Sequence, residues 1–445
     1  MTQQWQPSKT IPEWMGKPDH EASYAYYDVE EQLHQKLIRE IDESVLKGLD
    51  GEHAREQVER AARTLVAELF PQIVGDTKEE VVAHVVDDVT GHGPIEPLLR
   101  DPSVSEVMVN APDEVYYERD GIIYESDIVF RDQAHINRVV DRIVASIGRH
   151  VDEASPMVDA RLQDGSRVNV IIPPLVPKSP VVTIRKFRGD RYTIDDLIKI
   201  GTVPEGMAQL LEASVTAKLN IVISGGTGTG KTTLLNALSA FIPERERIVT
   251  VEDPIELKLQ QRHVIAAEAR PASIEGRGEV TQRALVRNAL RMRPDRIIVG
   301  EVRGPEAFDM MQAMNTGHEG SLTTVHANSP RDALARIENM VLMSGFELPV
   351  AVIREQMASA LHVIVQLSRL VDGTRKIVQV TEVAGMEGSL VTLQDIFLYR
   401  QTGIDPQGRV LGDLRATGIR PKFADRLRAF GMDLSEDIFN VGRWS

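Results

Sequence analysis

Leu219-Asn220-Ile221-Val222-Ile223-Ser224 runs directly into Gly225-Gly226-Thr227-Gly228-Thr229-Gly230-Lys231-Thr232-Thr233, and Leu234-Leu235-Asn236-Ala237-Leu238 follows. The first segment is apolar and β-branched, which suits a buried parallel strand. The middle segment fits G-x-x-x-x-G-K-[ST] from Gly225 to Thr232. Its glycines let successive backbone N–H groups turn inward around an anion with no Cβ in the way. Lys231 supplies a mobile positive charge for the outer phosphates, and the Thr232 hydroxyl is placed to hold Mg2+. The last segment forms a helix that ends before Pro243, so the phosphates also meet a helix N-terminus. Strand, glycine loop and helix imply an α/β domain that binds a nucleoside triphosphate.

A phosphate cradle does not say what happens to the phosphate. Two later strands carry carboxylates. Arg247-Ile248-Val249-Thr250-Val251 runs into Glu252-Asp253-Pro254, and Arg296-Ile297-Ile298-Val299-Gly300 runs into Glu301. Ligands of open α/β sheets bind beyond the carboxyl ends of the strands, so both acids are expected to converge on the cradle. One acid holds Mg2+ or its waters while another orients and deprotonates the attacking water. A third strand, Ser321-Leu322-Thr323-Thr324-Val325, ends in His326, placed to bond the γ-phosphate or the lytic water; His318 lies eight residues earlier. No companion ligand at a metal-binding spacing accompanies either histidine.

Arg161, Arg167 and Arg185 lie on strands of the preceding region. An arginine reaching in from outside stabilises a transferring phosphoryl group, and ordinary salt bridging is the competing reading. Arg283, Arg287 and Arg291 recur every four residues and read as a solvated or subunit-facing helix surface.

Upstream, residues 1–28 show no period and read as a flexible tail. Leu33, Leu37, Ile41 and Val45, then Val58, Ala62, Leu65, Val66 and Leu69, then Val81, Val82, Val85, Val86 and Val89 mark three amphipathic helices, a module over 29–91. Residues 92–187 read as an α+β domain, with hairpin turns at Asp120-Gly121 and Asp164-Gly165. Residues 188–204 read as a hinge, 205–400 as the α/β domain and 401–445 as a C-terminal tail or subdomain.

At 445 residues the chain is too long for one core. No run reaches the roughly 18–20 apolar residues of a membrane span, and the first residues lack the apolar core of a secretion signal. Zero cysteines exclude disulfides, thiolate catalysis and cysteine-held zinc, and suit a reducing cytoplasm. A net charge of −15 counts against a nucleic-acid-coating surface.

Val251-Glu252-Asp253-Pro254-Ile255-Glu256, Arg293-Pro294-Asp295-Arg296-Ile297-Ile298-Val299-Gly300-Glu301-Val302-Arg303-Gly304 and Thr316-Gly317-His318-Glu319-Gly320-Ser321-Leu322-Thr323-Thr324-Val325-His326-Ala327-Asn328 complete the pattern. With the glycine loop they resemble the Asp-box, Walker B, His-box and Walker A motifs of the type II/type IV secretion ATPase superfamily. The likeness is greatest to the CpaF branch, which powers assembly of Tad (Flp-type) pili in bacteria. The stretch Asp159-Ala160-Arg161-Leu162-Gln163-Asp164-Gly165-Ser166-Arg167-Val168-Asn169-Val170-Ile171-Ile172-Pro173-Pro174 resembles that group's N-terminal domain.

The resemblance implies a RecA-like P-loop ATPase domain behind a PAS-like α+β domain. It implies Glu252 as general base, Glu301 as Walker B acid on Mg2+, and His326 as the principal His-box residue. Arg161 and Arg167 become candidates to act on ATP. It also implies a homohexamer on the cytoplasmic face of the inner membrane, pushing on an integral platform protein, with no nucleic acid. The cysteine-rich zinc insertion of some members is absent. An effector-secreting or conjugative ATPase is the nearest alternative. A RecA-like nucleic-acid motor and a nucleotide-gated scaffold are the rivals from other classes. The acidic balance counts against the motor on nucleic acid, and retention of both Glu252 and Glu301 counts against the scaffold.

Overall fold

The computed structural model describes residues 27–40, 51–119, 121–145, 150–187, 192–270, 272, 277–432 and 434–441. Positions 1–26 of the tail expected over 1–28, helix positions Ile41 and Val45, turn residue Asp120 and positions 188–191 of the expected hinge lie outside them, while Tyr27 and Asp28 belong to the first helix rather than to a tail. The chain divides into two units, Met1–Gly189 and Asp190–Ser445.

In the first unit, helices α1 (Tyr27–Glu40), α2 (Gly51–Leu69) and α3 (Asp76–Thr90) lead through α4 (Glu96–Arg100) into the strands. Leu33, Leu37, Val58, Leu65, Val82 and Val85 bury together, because residues three and four apart share one face of each helix. Strands β1 (Val104–Ala111), β2 (Glu114–Arg119) and β3 (Ile122–Glu125) precede α5 (Gln133–Ala145). Strands β4 (Met157–Arg161), β5 (Arg167–Ile171) and β6 (Val181–Arg185) follow it. They form one sheet in the order β3-β2-β1-β6-β5-β4, with every pairing antiparallel. Val158, Val168, Val170, Val182 and Ile184 turn to the face packed against Ile136, Val139 and Ile143 of α5. Residues between them in sequence therefore face the other way.

The second unit is a nine-stranded sheet in the order β15-β14-β13-β12-β7-β11-β10-β8-β9. Its parallel part comprises β7 (Ile221–Gly225), β8 (Ile248–Glu252), β9 (Val264–Glu268), β10 (Arg296–Val302), β11 (Leu322–His326) and β12 (Val363–Arg369). Ile221, Ile223, Ile248 and Ile298 enter one core, while Val222, Val249, Val251, Ile297 and Val299 enter a second. The strands are thus covered on both faces, which explains their unbroken apolar runs. Helices α6 (Ile194–Lys199), α7 (Glu205–Thr216) and α8 (Lys231–Ser239) contribute to the first core. Helices α9 (Gln282–Ala289), α10 (Glu306–Asn315), α11 (Pro330–Leu342) and α12 (Val350–Ala360) contribute to the second.

Two sequence expectations need correction. Residues 192–204 are not a bare connector: Thr193 caps α6 through Asp196, and Leu197 and Val203 bury in the same core as Met207. A boundary at 400 would cut β14 (Leu390–Ile404), which pairs antiparallel with β13 (Arg375–Glu387) and β15 (Val410–Ala416). Phe423, Leu427 of α13 (Ala424–Ala429) and Phe439 join that core too, so the C-terminal stretch is part of the α/β unit.

Candidate functional site: the phosphate loop and its acids

Every residue of β7 is buried, and the chain leaves it at Gly225 into a loop closed by Gly230 at φ 94°. Gly228 takes φ 68°, a backbone region that glycine enters without steric cost. A Cβ on Gly225 would lie 2.5 Å from Thr229 Oγ1 and 2.9 Å from the Leu367 carbonyl, so this position admits no side chain. Thr229 Oγ1 and Lys231 Nζ both donate to the Gly226 carbonyl at 2.9 Å. Gly226, Thr227, Gly228, Thr229, Gly230, Lys231, Thr232 and Thr233 therefore form a continuous cradle from β7 into the first turn of α8.

The strand order sets what faces the cradle. His326 ends β11 directly beside Gly225. Glu301 lies near the end of β10, one strand further, and Glu252 ends β8, one further still. Three strand spacings put the β8 backbone about 14 Å from β7. Burial, then the positive charge of Lys231, hold the His326 pKa below its ordinary value, so the imidazole is neutral at neutral pH. Glu301 Oε2 accepts from Arg303 Nη2 at 2.6 Å. Glu301, Asp253 and Glu256 all raise the pKa of Arg303, which gathers three acids around one guanidinium.

Glu252 departs from expectation. It is 2% exposed. Its Oε2 accepts the backbone N–H groups of Glu256 at 2.7 Å and Leu257 at 2.8 Å, and its Oε1 accepts from Thr250 Oγ1 at 3.0 Å. Burial raises its pKa against those three donors. Its stem packs so closely on β10 that a Cβ on Gly300 would lie 2.9 Å from Glu252 Cγ. This carboxylate anchors the turn after β8. The turn returns Glu256 to within 3.4 Å of Thr232, Oε2 to Oγ1. Sequence reading passed over Glu256 because it lies beyond the strand end; the signal was Pro254, which breaks the strand and turns the chain.

His318 lies at the other end of β11, away from the cradle, with its Nδ1 buried and unpartnered. Arg283 pairs with Asp309 at 2.8 Å and its guanidinium lies 5.0 Å from the Phe346 ring centroid, which ties α9 to its neighbours.

In the first unit, Arg161 pairs in register with Arg167, and Arg167 with Arg185. Three guanidinium stems thus stand in one row on the face opposite α5. Arg161 Nε donates to the Gly165 carbonyl at 3.2 Å, and Arg185 lies 3.8 Å from Glu106.

No group of three or more His, Asp or Glu suited to a metal occurs among the described residues. No described helix is long and apolar enough to cross a membrane.

A family model described as "Type II/IV secretion system protein" matches residues 88–410. The Mycobacterium tuberculosis (strain H37Rv) protein named "Putative conjugal transfer protein Rv3659c" is 38% identical over 325 residues, 71% of this chain and 91% of that protein. "Type IV secretion system protein VirB11" of Brucella suis is 32% identical over 309 residues, 63% of this chain and 86% of that protein. The crystal structure of the Brucella suis VirB11 ATPase with sulphate aligns at 31% identity and TM-score 0.36, over 65% of this chain and 95% of that one. The chain belongs to the type II/IV secretion system protein family.

Proposed function

We propose that this chain, an ATPase of the type II/IV secretion family, is a homohexameric motor that powers a Tad or type IV-like pilus. It would act at the cytoplasmic face of the inner membrane, through an integral platform protein. The observation that carries the ATP-hydrolysing part of this reading is the row of strand ends in which the phosphate loop, His326, Glu301 and the Glu252–Glu256 turn follow one another across adjacent parallel strands.

Lys231 leaves the Gly226 carbonyl to meet the β- and γ-phosphates, while the loop N–H groups hold their oxygens. Thr232 and Glu301 would hold Mg2+ or its waters, and the ion, when bound, neutralises charge on the phosphates. Glu256 accepts the proton of the attacking water in this reading, in place of Glu252, whose carboxylate already accepts three hydrogen bonds. Glu252 instead fixes where Glu256 stands. Neutral His326 donates one hydrogen bond toward the γ-phosphate and accepts another. Arg161 and Arg167 remain the candidates to supply positive charge for the transition state.

The names of the relatives speak for a second reading, a conjugative or effector-secreting machine. The test is reconstitution. Particles of the nucleotide-loaded chain should show six subunits, and ATP turnover should rise on adding a pilus platform protein in vesicles. A monomer under all nucleotide conditions, or stimulation only by a conjugation or effector-secretion channel, would reject the pilus motor.

A further inference from the structure

Arg375, the first residue of β13, donates from Nε to the Gly228 carbonyl at 2.8 Å. Gly228 stands at the tip of the phosphate loop. Glycines lose more freedom on ordering than other residues, so a donor that fixes the outer carbonyl keeps the opposite N–H edge facing the anion. The next two residues reach a different segment. Lys376 Nζ donates to the Gly201 carbonyl at 2.9 Å, and the Ile377 N–H donates to the Thr202 carbonyl at 3.1 Å. Both acceptors follow α6 directly, in the segment whose Leu197 and Val203 bury in this unit's core.

The corner has a firm base. Asp372, in the turn before β13, accepts from Thr374 Oγ1 at 2.6 Å and from the Val410 N–H at 2.8 Å. Arg375, Lys376 and Ile377 of β13 pair in register with Arg369, Ser368 and Leu367 of β12, and β14 joins the strand from Gln379 onward. A shift at its first residue is therefore carried by a braced strand rather than lost in a loop.

We propose that Arg375 is a positioning residue for the phosphate loop, and that the corner Arg375–Lys376–Ile377 couples loop occupancy to the Gly201–Thr202 stretch. The proposal rests on the nucleotide reading of the loop. Filling the cradle draws in the loop's N–H groups, which turns the Gly228 peptide and its carbonyl. Arg375 follows the carbonyl, and the two following residues pass the shift to Gly201 and Thr202. No residue of the corner or of the 193–203 stretch needs to touch the nucleotide.

The test is hydrogen exchange on the full chain with and without ADP, comparing wild type, Arg375→Met and Arg375→Lys. Methionine keeps an unbranched apolar stem and removes the donor; lysine restores a donor. In wild type, ADP should slow exchange at 226–232 and also change it at 194–203. In Arg375→Met, half-protection of the loop should need about fivefold to tenfold more ADP, the worth of one lost hydrogen bond. At saturating ADP its 194–203 response should fall to less than about half, and Arg375→Lys should restore both readouts. An equal 194–203 response in Arg375→Met, or none in wild type, would overturn the coupling. Failure of ADP to protect 226–232 in wild type would remove the nucleotide reading itself, and the coupling with it.

Discussion

Thr232 Oγ1 faces Glu256 Oε2 at 3.4 Å, although β8, which leads to Glu256, lies three strands away from the strand that leads to Thr232. The turn held by Glu252 closes that gap. Two acids four residues apart thus take different tasks, one spent on backbone N–H groups and one returned to the cradle.

Exchanging each acid for its amide separates those tasks. Glu256→Gln should bind nucleotide normally and lose turnover by about a hundredfold or more, because an amide cannot take the proton. Glu252→Gln replaces one acceptor oxygen by a donor, against donors from Thr250, Glu256 and Leu257. It should therefore lower the unfolding midpoint as well as the rate. Phosphate release and denaturant unfolding on both variants check this; full turnover in Glu256→Gln would return the proton transfer to Glu252.

Lys231→Ala removes the cradle's mobile cation, which donates to the Gly226 carbonyl. Affinity for ATP should fall about tenfold or more, as for a charge-assisted contact. Equilibrium binding of a fluorescent ATP analogue measures it.

Arg161→Ala and Arg167→Ala each take one member from a row of like charges. Hydrolysis should slow by about a hundredfold or more if the row meets the transferring phosphate. The stability of the first unit should change by less than about 1 kcal/mol, the worth of a partly exposed hydrogen bond such as that from Arg161 Nε to the Gly165 carbonyl. Paired turnover and thermal-unfolding measurements distinguish this from a structural role, in which stability would fall and turnover of the folded fraction would not.

His362 Nδ1 accepts the Asn220 N–H at 3.0 Å, and burial, with the Arg426 charge, pushes its pKa down to about 4 from 6.5. Between those values the unfolded chain takes up a proton that the native one refuses. The contribution is complete above pH 6.5 and is lost as pH falls toward 4, to a total of about 3 kcal/mol. Unfolding midpoints across that window should fall with acidity more steeply in wild type than in His362→Gln.

The α/β unit was legible around the phosphate loop because strands buried on both faces leave unbroken apolar runs. Glu301 and His326 could be placed from strand ends alone, since a parallel sheet puts all such ends on one edge. Glu256 and Arg375 could not. The first depends on a turn whose path is set by hydrogen bonds to Glu252, and the second on an antiparallel hairpin pairing with the parallel sheet. The arginines of the first unit were picked out singly. Their alignment is a property of register, which period-two patterning does not fix between strands.

The most direct test is steady-state phosphate release from ATP and Mg2+ by the assembled full chain, with Lys231→Ala measured alongside. Sustained release by wild type and only background from the variant is the predicted result. No release by wild type even in its assembled, membrane-partnered state, or equal release by the variant, would contradict the motor.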